Sequence, residues 1–87
     1  TLECNMNNEE KRAELISYFR DKLRDQTLSI KEADESQQEL IELQMQKTTF
    51  SLLLLEDGQT VLNDEKIELT DKRIEMMYRS YIEDAIF

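Results

Sequence analysis

No proline and only one glycine, Gly58, occur in this 87-residue chain, and 36% of its residues are charged. Histidine and tryptophan are absent as well, and Cys4 is the only cysteine. Little in such a chain breaks a helix, so a small acidic helical fold is expected. The same absences limit chemistry. The commonest acid–base residue and metal ligand is missing, so imidazole-dependent triads and metal sites are excluded within this chain. Two-cysteine redox motifs and internal disulfides are excluded too, which fits a reducing, cytoplasmic setting. Cys4 reads as a bystander thiol, because no histidine can activate it and no lysine or arginine adjoins it.

The length sets one domain at most, burying roughly 60–65% of its unfolded surface. Apolar residues make up 39%, below the usual ~45–50%. A thin core of this kind often gains stability by dimerising or docking. The longest apolar run, Leu52 to Leu55, is far short of a membrane span. The first residues lack the charged and apolar regions of a signal peptide, and the start at Thr1 rather than methionine fits either a processed chain or a fragment of a longer protein.

The formal charge is −9, and it is uneven. Residues 31–70 hold ten acidic and three basic side chains, a net −7, while the segments on either side are each at −1. Acidity of this kind disfavours nucleic acid and anionic membranes and favours basic protein partners; plain solubility is its simplest meaning.

Hydrophobic periodicity predicts a first helix over about Asn8–Asp25. Asn7 or Asn8 caps it, and Leu15, Ile16, Phe19, Leu23 and Ala13 share one arc. Arg12 and Arg20 project into that arc. Arg20 either lays its stem along Ile16 and Phe19 or pairs with a carboxylate of the acidic middle. Asp25-Gln26-Thr27 is expected to end the helix. A second helix is expected over about Lys31–Glu56, with capping boxes at both Ser29 and Ser36. It would carry two stripes, Leu40/Leu43/Phe50/Leu54 and Ile41/Met45/Leu52/Leu55, as a central helix between two neighbours should. Gly58 then caps its end. The alternative is an α+β arrangement in which residues 48–55 form a strand and Asp57-Gly58 turns a hairpin back through Thr60-Val61-Leu62. Residues 63–70 read as an acidic connector, extended near Lys66-Ile67-Glu68-Leu69. Thr70 or Asp71 caps a last helix to Ile86, with the stripe Ile74, Met77, Tyr78, Tyr81, Ile82, Ala85 and Ile86. The fold class is therefore all-α with three helices, or α+β.

No catalytic, cofactor-binding or metal-binding residues are expected. Glu39 and Glu42, and Asp57, Asp64 and Glu65, match neither a calcium loop nor a di-iron bundle pattern and read as solvated carboxylates. The expected activity is non-enzymatic protein–protein interaction, by self-association or by docking on a larger assembly. The alternative is an acidic inhibitor or antitoxin-like protein that blocks a basic nucleic-acid-binding or toxin partner. Candidate partner-binding residues are Tyr78, Tyr81, Ile86 and Phe87 on the last helix, and Glu56, Asp57, Asp64 and Glu65 in the acidic middle. Of the last helix, Ile74, Met77, Tyr78 and Ile82 read first as internal core, which leaves Tyr81, Ile86 and Phe87 as its better interface candidates, and Met76 and Tyr18 lie off their helices' stripes. A homodimer or a basic protein is the expected partner.

Overall fold

The computed structural model describes the backbone of residues 7–86 and the side chains of residues 7–84. Cys4 and Phe87, and the side chain of Ile86, lie outside the described residues. Three helices and one β-hairpin follow in the order α1 (Asn8–Glu32), α2 (Glu35–Asp57), β1 (Gln59–Leu62), β2 (Glu65–Glu68) and α3 (Asp71–Ile86). The chain is a small, mostly helical domain of three helices, as expected, and its short antiparallel sheet also fits the α+β alternative.

Asn7 caps α1: its Oδ1 accepts from the Glu10 backbone N–H at 2.8 Å, and Glu9 and Glu10 lie in the positive first turn. The helix does not stop at Asp25-Gln26-Thr27 but continues to Glu32. Nothing in that stretch breaks a helix. Asp25 and Thr27 face solvent, and the Thr27 hydroxyl donates back to the Leu23 carbonyl at 2.8 Å. The chain turns at Ala33, and the Gln38 amide donates to the carbonyls of Ile30 and Ala33, closing the end of α1.

Neither Ser29 nor Ser36 caps α2. Ser29 lies within α1, and the cap is Asp34, whose Oδ1 accepts from the Gln37 N–H at 2.9 Å and the Ser36 hydroxyl at 3.0 Å. The bond from Gln37 and then that from Ser36 hold the Asp34 carboxyl below its ordinary value. The helix runs unbroken to Asp57. Gly58 ends it at φ +77°, donating its N–H to the Leu54 carbonyl at 3.0 Å.

A hairpin exists, but not the one expected around Asp57-Gly58. Residues 48–55 stay helical. β1 instead pairs with β2, with Thr60 opposite Ile67 and Leu62 opposite Glu65. The two-residue loop is Asn63-Asp64, at φ 51° and 65°; positive φ at both positions is what a tight turn between twisted strands requires. The Leu69 N–H donates to the Gly58 carbonyl at 2.8 Å and closes the base of the hairpin. Thr70 caps α3 as expected, its Oγ1 accepting from the Arg73 N–H at 3.2 Å.

The central helix is α1, not α2: it packs along both α2 and α3, while the hairpin leans on α2. The core is Leu15, Leu55, Ile74 and Tyr78, bordered by Ile16, Phe19, Leu69, Met77, Tyr81 and Ile82. Leu15 and Leu55 are fully buried. Each such leucine contributes on the order of 1.5–3 kcal/mol by leaving water. Between Leu15 and Thr48 no side chain is buried. The core thus occupies one end of the α1–α2 pair, and the other end extends past it as a bare helical hairpin. The Cα positions span 44 × 34 × 16 Å.

Candidate interaction surface

Arg12 and Arg20 tie α1 to the end of α2. Arg20 pairs with the Glu56 carboxylate at 2.5 Å, which is the second of its two expected arrangements. Arg12 donates through Nε to the Leu55 carbonyl at 2.5 Å and through Nη2 to the Glu56 carbonyl at 3.3 Å. A cation placed on the last carbonyls of a helix satisfies groups that have no acceptor role left within the helix and opposes their negative dipole end. Glu56, a candidate partner residue, is therefore engaged within the chain.

The two candidate tyrosines also turn inward. Tyr78 is buried, and its hydroxyl donates to Glu14 Oε2 at 2.7 Å; the Tyr81 hydroxyl donates to Oε1 of the same carboxylate at 3.1 Å. One residue of α1 thus clasps two of α3, at i and i+3. Burial, then the bond to Glu14 and its charge, push the Tyr81 phenol above its ordinary value, so it stays a donor at neutral pH. Tyr18 packs at a tilt against Tyr81 with ring centres 4.7 Å apart, and Tyr81 meets Tyr78 at 5.6 Å. Tyr18, off the predicted stripe, is in fact where α1 faces α3. The Lys11 and Lys22 ammonium groups lie 5.6 Å from the ring centres of Tyr78 and Tyr18. Glu14 escaped sequence reasoning because it falls outside the apolar arc; two tyrosines three apart on α3 were the available sign of a shared acceptor.

The remaining candidates are dispersed. Asp57 is exposed at the end of α2, Asp64 sits in the hairpin turn, and Glu65 opens β2. Glu39 and Glu42 are exposed on α2. Among the described residues, no three aspartates, glutamates or cysteines are grouped to hold a metal ion, and no helix is long and apolar enough to cross a membrane.

What the surface does present is apolar. Leu28, Leu40 and Leu43 are each 57% exposed, and Leu53, Val61, Leu62 and Met76 are exposed as well. Leu28 borders a shallow groove between α1 and α2 lined by Arg20, Leu23, Arg24, Thr27 and Leu52. Leu53 and Val61 line a second, where the hairpin meets the end of α2. Leu40 and Leu43 stand on the bare half of α2. Around them lie the exposed carboxylates Glu32, Asp34, Glu35, Glu39 and Glu42.

No protein family, curated protein or solved structure matches this chain.

Proposed function

We propose that this chain is a non-enzymatic protein-interaction module that associates through exposed helix faces. The observation that carries the reading is the disproportion between its core and its apolar surface. Among the described residues, four form the buried cluster, whereas seven large apolar side chains stand in solvent, five of them leucines. Single exposed leucines are ordinary; leucines recurring along one projecting helical hairpin mark a surface that another protein covers. The acidic rim around that hairpin sets the electrostatic terms of any encounter.

A second reading, an acidic blocker of a basic partner, draws on the same rim. Salt separates the two. Association through apolar faces persists as salt rises, whereas steering by the rim weakens. Cross-linking through Lys31, Lys47 and Lys66 tests the module reading, since Lys31 lies one turn from Leu28, Lys47 one turn from Leu43, and Lys66 pairs with Val61. The expected result is cross-links from these lysines to another chain, abolished when the neighbouring apolar residue becomes glutamate. Cross-links confined within single chains, at every concentration and with every partner supplied, refute it.

A further inference from the structure

We infer that the outer face of α2 is a self-association seam, occupied by α2 of a second copy running antiparallel. This deepens the interaction reading and rests on it. Ser36, Leu40, Leu43, Lys47, Phe50, Leu54 and Asp57 follow one another at alternating spacings of four and three. That is the heptad spacing of a helix packed along another helix. The stripe lies off the face of α2 that packs on α1, with Lys47 at its edge bordering a groove that Phe19, Lys22 and Gln26 of α1 also line. The α2 residues buried toward the core are Thr48 and Leu55, with Ile41, Met45 and Leu52 half-buried beside them, on the other stripe of the helix. Leu54 is buried, at the end of α2 that joins the hairpin. Leu40 and Leu43 are more than half exposed and Phe50 is half-buried. The free seam is thus Ser36–Phe50, about 22 Å at 1.5 Å per residue.

The mixed signs along the seam fit a second copy and set its direction. The first half of the seam is flanked by Glu35, Glu39 and Glu42, and the second half carries Lys47, all exposed. A parallel pair would set Lys47 against Lys47 and carboxylates against carboxylates. An antiparallel pair centred level with Met45 sets Phe50 of one copy beside Leu40 of the other. It sets Lys47 beside the other copy's Leu43, within a turn of its Glu39 and Glu42. Each seam then supplies the charge its copy lacks, and the lysine stem covers the leucine. Each copy carries −9 overall, so long-range repulsion opposes the pair and salt strengthens it. A basic partner steered by the acidic rim has the opposite salt dependence.

The test is sedimentation equilibrium of the full chain at ~0.1 M and ~1 M salt, where the screening length falls from about 10 Å to 3 Å. The seam predicts a monomer–dimer equilibrium that tightens with salt. Leu43→Glu should raise its dissociation constant at least about tenfold with an unchanged helical circular dichroism spectrum. Lys47→Glu should weaken the pair, and adding Glu42→Lys to it should restore most of the loss. Leu40→Gln is a second probe should Leu43→Glu disturb folding. A dimer indifferent to Leu43→Glu and Leu40→Gln but lost with Leu28→Glu or Val61→Glu overturns the seam and leaves self-association standing. A chain monomeric under all conditions overturns the second copy as occupant. If that monomer binds a basic amphipathic helical peptide through Leu40 and Leu43, the interaction reading survives with a different partner.

Discussion

Leu15→Ala and Leu40→Ala remove the same atoms from two helical leucines and should differ several-fold in cost. Leu15 lies fully buried on the central helix, in contact with the Leu55, Ile74 and Tyr78 cluster, so its truncation leaves a void against both α2 and α3. Such substitutions cost about 2–5 kcal/mol, depending on how far the site collapses. A chain of this length has a total stability of about 4–13 kcal/mol, at the usual ~0.05–0.15 kcal/mol per residue. Leu15→Ala therefore removes a large share of the stability, lowering the melting temperature by ~4–8 °C for each kcal/mol lost. Leu40 keeps most of its surface in water, and alanine is the better helix former, so its truncation should cost less than about 0.5 kcal/mol in the monomer. The assay is urea unfolding followed by circular dichroism at a concentration low enough to keep the chain monomeric. Equal costs for the two variants, or a Leu15→Ala cost under about 1 kcal/mol, would refute the placement of the core at one end of the α1–α2 pair.

Gly58→Ala should cost about 1–2 kcal/mol, because a Cβ at φ +77° is strained. Crowding adds nothing there, since the nearest atom it would meet is Arg12 Nη2 at 4.0 Å; equilibrium unfolding measures the loss. Glu14→Gln removes a charge and a charged acceptor from both tyrosines, so the Tyr81 phenol should titrate lower, read by ultraviolet difference absorbance. In the native chain the raised Tyr81 value contributes stability in full below about pH 10, the ordinary tyrosine value, and that contribution is lost as pH rises through the folded-state value. Glu14→Gln should flatten that alkaline decline. Asp34 gives the opposite sign: its lowered value contributes stability above pH 3.8, lost as pH falls through the folded-state value, and Asp34→Ala should abolish that part of the acid dependence while Asp34→Asn retains the cap.

The last helix was legible because two independent signals agree, a threonine cap and a stripe that returns every third or fourth residue to one face. Gly58 was legible as the end of α2 because it is the only residue in the chain free to take a left-handed conformation at no cost. Elsewhere local signals competed. Asp25-Gln26-Thr27 is polar, but polarity alone ends no helix; it marked a solvated side of one. Ser29, Asp34 and Ser36 are all capping residues within eight positions, and the choice among them rests on Gln38 reaching back to the Ile30 and Ala33 carbonyls. The hairpin was missed because its turn, Asn63-Asp64, lacks the glycine that usually announces one, and its strands are four residues each. The site was less legible than the fold. Arg12 stood out as a cation in an apolar arc, yet its acceptor is a backbone carbonyl 43 residues away, which no side-chain pattern records. Tyr78 and Tyr81 carried the expected interface types but bend to Glu14 instead, and Leu40 and Leu43 of the α2 stripe expected to meet a third helix are left in solvent by the choice of α1 as the centre.

The most direct test of association through exposed helix faces is the solution mass of the full chain, by light scattering after size exclusion, at low and high salt. Association through the α2 seam predicts a mass rising with concentration from 10.4 kDa toward twice that value, and rising further with salt. A mass fixed at 10.4 kDa at every concentration and salt would contradict self-association through the α2 seam and leave the exposed leucines to a different protein.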